Sequence, residues 1–188
     1  MHVLKTSWLS ATTTYDGTQL KSKWVQEVSG LSGDAMVGFV GPADVPIEHM
    51  VDLEDVALNA PIFSESMLHF ICEIFDRDLE KMVLRQRMFI AILNETLLKY
   101  PQCSKIIRNG DDLYEGDAKL SVSIATSSPV SCLIHTGINI SSKNTPVLTK
   151  GLEDYGIHPK ELGPKAMKQF AKELAEIRHA TTKVRPVA

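Results

Sequence analysis

The hydrophobic pattern changes period at Pro101, and this change does most to limit the folds open to the chain. From Asp78 to about Tyr100 the apolar residues recur at helical spacing: Leu79, Met82, Val83, Phe89, Ile90, Leu93 and Leu97 form one broad face. Pro101 ends that helix. From Ser104 onward the spacing becomes two residues. Ile106 to Arg108, Leu113-Tyr114, Lys119 to Thr126 and Val130 to Ile140 read as a β-meander, with turns at Asn109-Gly110, Glu115-Gly116-Asp117 and Ser127-Ser128-Pro129. A long one-sided helix followed by an uninterrupted run of strands predicts an α+β fold, an antiparallel sheet backed by helices.

The flanking segments fit around this centre. The first forty-five residues read as short strands, with Thr18 to Val28 pairing with Ala35 to Val40 across Ser29-Gly30-Leu31-Ser32-Gly33-Asp34, and Gly41-Pro42 and Pro46 as stops. Met50 to Val56 is short and acidic. Ser64 is placed to cap a helix carrying Met67, Leu68, Ile71, Ile74 and Phe75. Residues 146–164 read as irregular with one short helix, and Pro164 as the start of a final helix presenting Met167, Phe170, Leu174 and Ile177. At 188 residues the chain is expected to form a single domain over 1–188, large enough to bury roughly 70% of its unfolded surface without disulfides or metal.

Charge and cysteine usage exclude several classes. Twenty basic and twenty-three acidic residues give a net charge of −3, which argues against a nucleic-acid partner. No apolar run approaches the roughly 20 residues of a membrane span, and Met1 to Thr6 does not begin an export signal. Cys72, Cys103 and Cys132 are widely spaced, and the six histidines include no pair three or four residues apart. Neither set suits a zinc ribbon, a redox pair or a histidine metal site. A cytoplasmic location is expected, and association with further copies of the chain is compatible with the composition.

The chemistry concentrates between Arg108 and Lys119. Asp111, Asp112, Glu115 and Asp117 surround a hairpin, and Lys119 opens the next strand. Strand alternation puts Lys119, Ser121 and Ser123 on one face and Leu120, Val122 and Ile124 on the other. A lysine beside small hydroxyls offers a carboxylate or phosphate site; a solvated lysine after an acidic turn is the plainer alternative. Elsewhere, Asp52, Glu54 and Asp55 are candidate magnesium ligands or solvated surface, and Tyr15, Asp16 and Asp44 shape a cleft or a turn. Arg85 and Arg87 pair with Glu80 or Asp78 or face an anion. His135 faces a pocket or sits satisfied in the core.

Arg108 to Ile140 resembles the core of the biotin ligase, lipoate ligase and octanoyltransferase superfamily. The features that carry the likeness are Arg108 four residues before Asp112, Lys119 seven residues after it, and Gly137-Ile138-Asn139 closing a strand. The resemblance implies a class II synthetase-related fold and an enzyme acting on a carboxylic acid or acyl donor, with ATP and Mg²⁺ as cofactors. It further implies catalytic roles for Lys119 and Asp112 and substrate-binding roles for Arg108, Asp111, Ser121, Ser123, Gly137 and Asn139. The other reading is a non-catalytic small-molecule or protein binding module that retains the ligase-like fold. Three departures separate the chain from the ligases: Asp111 replaces an Asn, Val122 replaces a glycine, and no glycine-rich loop is present. Over nearly its whole length, through Tyr15 to Leu20, Gly41 to Val45, His49 to Asp55 and Leu113 to Ala125, the chain also resembles an archaeal-type family with a domain of unknown function.

Overall fold

The computed structural model describes residues 3–187; Met1, His2 and Ala188 lie outside it. The elements in chain order are β1 (Lys5–Trp8), α1 (Trp24–Ser29), β2 (Ala35–Val45), α2 (Leu53–Ala57), β3 (Ile62–Ile74), α3 (Leu79–Leu97), β4 (Ile107–Asn109), β5 (Asp112–Glu115), β6 (Ala118–Lys119), β7 (Ser121–Ser127), β8 (Cys132–Asn139) and α4 (Pro159–Ala180). Two sheets form. The larger runs β1-β2-β3-β8-β7, and the smaller runs β4-β5-β6. Only the β1–β2 pair is parallel; every other neighbour is antiparallel. The fold is α+β, with an antiparallel-rich sheet backed by helices.

Three expectations from periodicity are corrected. The segment opened by Ser64 is not a helix but the central strand β3. Its run from Met67 to Ile74 is buried throughout, and a strand covered on both faces is apolar at consecutive positions, so the two-residue period disappears. Thr18 to Val28 is not a strand; its second half winds into α1. The last helix begins five residues before Pro164, at Pro159, with His158 accepting a hydrogen bond from the Lys160 N–H at 3.2 Å. By contrast, α3 starts where the sequence places it, behind Asp78, whose side chain accepts from the Lys81 N–H.

The two faces of the larger sheet are covered differently. Met36, Leu68, Phe70, Cys72, Ile74, Ile134 and Ile138 pack beneath α3 and α4 in one continuous core. In it Phe70, Phe89 and Phe170 meet ring to ring at 5.0 Å. Helix α4 comes close because Gly38 and Gly163 leave room for the Trp8 ring between strand and helix. On the opposite face Val37, Phe39 and Ile71 are capped by Tyr15, Trp24 and Val25 from the N-terminal segment and α1. The buried Glu73 carboxylate holds this cap in place by accepting from the Lys23 N–H and the Ser131 hydroxyl. The cap ends before β7, leaving a cleft over the β8–β7 end of the sheet.

Candidate functional site

The cleft has a floor of Val122 and Ile124 from β7 and His135 from β8. One wall is formed by Tyr15, Val45, His49, Met50, Val51, Asp52 and Asp55, and the other by Asp111, Asp112 and Lys119. The side chain of Asp52 caps α2 by accepting from the Glu54 and Asp55 N–H groups. That cap sets the first wall, since it turns Asp52 and Asp55 toward the cleft.

The small sheet builds the second wall. Tyr114 pairs with Lys119 across the β5–β6 hairpin, so Asp112 at the start of β5 and Lys119 at the end of β6 come together. Lys119 Nζ lies 2.8 Å from Asp112 Oδ2. The Lys119 backbone is itself held, donating to Leu148 O at 2.9 Å and accepting from the Lys150 N–H at 3.2 Å. The buried Ser121 hydroxyl donates to Asp112 Oδ1 and accepts from the Leu113 N–H, both at 2.9 Å. The ammonium therefore projects from fixed backbone against a fixed carboxylate. Burial pushes the Asp112 carboxyl above its ordinary range, with Lys119 and Ser121 offsetting part of that rise. Burial also works against the Lys119 ammonium, but the Asp112 carboxylate outweighs it and holds Lys119 protonated.

The expected alternation holds only from Ser121 onward and with its sides exchanged; it breaks at the core residue Leu120, so Lys119 falls on the cleft side with Val122 and Ile124 and not on the side of the two serines. Ser121 and Ser123 turn toward the helices while Val122 and Ile124 floor the cleft. The Ser123 hydroxyl donates to Asp111 O at 2.8 Å and accepts from the Gln86 amide of α3 at 2.7 Å, and the residue also lines the cleft. Asp111 is tied to α3 through Gln86 at 3.3 Å and Arg87 at 3.8 Å. Arg108 lies apart from the cleft: it is exposed, and its guanidinium donates to Gly110 O at 2.6 Å. Gly137 and Asn139 occupy the cleft face of β8, where Met67 covers Gly137. Neither lines the opening. Arg85 pairs with Asp76 at 3.2 Å rather than with Glu80 or Asp78.

Sequence reasoning missed His69, which was assigned to a helix. It lies beside His135 under the Tyr15 ring, at a ring-centroid distance of 5.3 Å. The signal for it was a polar residue inside the otherwise apolar run Met67 to Cys72.

The donors present offer no ready-made seat for the magnesium ion that the ligase resemblance implies. Among the described residues no three His, Cys, Asp or Glu side chains stand together as a cation site. The Asp112 carboxylate is already engaged by Lys119 and Ser121. Gly41-Pro42 forms an irregularity inside β2, not a loop of N–H groups facing a phosphate.

Residues 4–185 match the family described as a domain of unknown function, DUF366. The chain belongs to that family. It is 38% identical over 183 residues to the uncharacterized protein MJ0805 of Methanocaldococcus jannaschii, covering 92% of this chain and 80% of that one. A solved structure of a protein of unknown function from Pyrococcus horikoshi is similar at 36% identity and a TM-score of 0.89, over 98% of this chain and 100% of that one. Biotin protein ligase from Aquifex aeolicus in complex with biotin and ATP shares the fold at 15% identity and a TM-score of 0.63, over 93% of this chain and 72% of that one. Protein Ta0514 from T. acidophilum with bound lipoic acid shares it at 13% identity and a TM-score of 0.55, over 92% and 86%. The biotin/lipoate ligase-like fold that the resemblance implies is thus present. No helix among the described residues is long and apolar enough to cross a membrane.

Proposed function

We propose that the protein is a carboxylate-activating or acyl-transferring enzyme whose cleft receives a small carboxylic acid or acyl group against Lys119. The observation that carries this reading is the Lys119–Asp112 pair, set on fixed backbone at the wall of a mainly polar cleft with an apolar floor. An ammonium has three donors. Lys119 can keep Asp112 as one partner and still donate to a ligand oxygen, where a preorganised positive charge stabilises the negative charge that develops in acyl chemistry. Asp112, backed by Ser121, orients that ammonium. The ligase-like neighbours are complexed with biotin and with lipoic acid, both carboxylic acids.

The test is turnover. Purified protein is assayed for transfer from acyl thioesters and for ATP–pyrophosphate exchange with a broad panel of acids, alongside Lys119→Ala. Activity in either assay that disappears in the variant supports the reading. Absence of both, with ligand affinities indifferent to Lys119→Ala, would end it.

A second reading, a non-catalytic binding module, is favoured by one specific feature. Asp52, Asp55, Asp111 and Asp112 all line the cleft that holds the single ammonium of Lys119. Burial and the neighbouring Asp52 push the Asp55 carboxyl up, as expected for a crowded acidic wall. Val122 adds bulk to the floor where the ligases carry glycine. Thermal shift separates the two readings: stabilisation by small acids accompanied by turnover marks the enzyme, and stabilisation without turnover marks the module.

A further inference from the structure

His135 in the floor of the cleft and the buried His69 beside it are not used by the Lys119 chemistry. His69 Nε2 lies 3.1 Å from Gly41 O, and His69 Nδ1 lies 3.1 Å from His135 Nε2. These two contacts fix every proton in the chain. A carbonyl oxygen only accepts, so His69 carries its proton on Nε2. Its Nδ1 is then an acceptor, and His135 must donate from Nε2. His135 Nδ1 is left without a proton and without a partner among the described residues, on a ring that lines the cleft.

Both rings are held neutral and in place. Burial pushes His69 down to about 4, against an opposing effect of the Gly41 carbonyl. Burial, and then His69, pushes His135 down as well. Tyr15 stacks on His135 with ring centroids 3.7 Å apart and planes 10° from parallel, and Phe39 stacks on His69 at 4.9 Å. The start of the relay is equally rigid. Gly41 lies where β2 shifts register against β3, and a Cβ at this position would collide with the Thr13 backbone.

We infer that His135 Nδ1 is a fixed hydrogen-bond acceptor of the cleft, and that the ligand is a small carboxylic acid bearing an O–H or amide N–H donor away from its carboxylate. The carboxylate half of this assignment rests on the proposed role of Lys119; the donor half rests on the histidine relay alone. Val122 and Ile124 lie along β7 between Lys119 and His135, so a short apolar stem joins the two polar ends. The cleft encloses about 160 Å³. A cavity of about 150 Å³ holds one benzene-sized molecule, and a cleft open on one side admits somewhat more, so the ligand has about six to ten non-hydrogen atoms. His69 is a positioning residue, setting which nitrogen of His135 accepts.

Two measurements on the full chain test this. The first is ¹⁵N NMR of the histidine side chains at neutral pH. The expected result is His135 protonated on Nε2 with Nδ1 bare; a proton on His135 Nδ1, or a charged ring, overturns the inference. The second uses matched probes: linear C4 to C6 acids, their ω-hydroxy and ω-amide counterparts, and the same alcohols and amides lacking the carboxylate. Calorimetry is expected to show the donor-bearing acid of a pair binding about tenfold more tightly. That preference should vanish in His135→Phe, which keeps a ring under Tyr15. It should shrink in His69→Phe and survive in Lys119→Met, where both members of the pair weaken together. Donor-bearing neutral probes that bind with a His135-dependent preference, while acids gain nothing from Lys119, would remove the carboxylate reading and keep the acceptor. A preference that is absent in the wild type or persists in His135→Phe overturns the inference, as does a panel with no binding at all.

Discussion

The two faces of the larger sheet are built from the same five strands yet solve opposite problems. Beneath α3 and α4 the face is sealed with Phe70, Phe89, Met36 and Ile134, all without solvent exposure. On the other face the cover formed by α1 and the N-terminal segment stops short, and polar groups occupy the gap. His69, His135, Asp112 and Lys119 all lie at or beneath that uncovered end. Burying such groups costs free energy unless they find partners, so each one here is tied to another. The helix-covered face is a sealed apolar core, and the half-covered face carries the candidate site.

Substitutions can break this division, beginning with the largest expected effect. Phe89→Ala removes a ring packed between Phe70 and Phe170 and should cost about 3–5 kcal/mol in urea unfolding. Ligand affinity per folded molecule should stay unchanged.

Acid should expose the other face. The unfolded chain takes up a proton on histidine near pH 6.5, whereas folded His69 resists until about 4. Stability from this group is therefore complete above pH 6.5 and is lost as the pH falls toward 4. Between pH 7 and 5 the loss should be about 2 kcal/mol from His69, with His135 adding in the same direction. The raised Asp112 carboxyl acts in the opposite sense. Denaturant unfolding at several pH values checks this, and His69→Phe should flatten the slope.

Ser121→Ala removes the hydroxyl that bridges Asp112 and the Leu113 N–H and should cost about 1 kcal/mol. It should also loosen the Lys119 ammonium, seen as weaker acid binding. The smallest effect is expected far from both faces. Lys165 pairs with Glu161 one turn away on α4, with both side chains more than half exposed, and Lys165→Ala should change the melting temperature by about a degree or less.

Helix α3 and strand β7 were legible because each buries one face and keeps its period, and β8, buried throughout, was legible from the turn residues before it. Strand β3 was not, because burial on both sides erases the alternation that marks a strand, and Met67, Leu68, Ile71 and Ile74 also fit a helix. The candidate site divides in the same way. Lys119 and Asp112 meet across a local hairpin, so their spacing in the chain carried the signal. Tyr15, Asp52 and His69 come from segments fifty to a hundred residues away, and only the folded sheet brings them to the same cleft. Arg108 shows the limit of spacing: it stands at the expected distance from Asp112, but its strand points it at Gly110 instead.

The proposed function requires Lys119 to be the cation that receives the ligand. Its most direct test is calorimetric titration of the C4 to C6 acids into the wild-type protein and into Lys119→Met at neutral pH, with unfolding midpoints recorded for both. The predicted result is at least tenfold weaker binding in the variant, with the folded baseline intact. Equal affinity in the two proteins would contradict it.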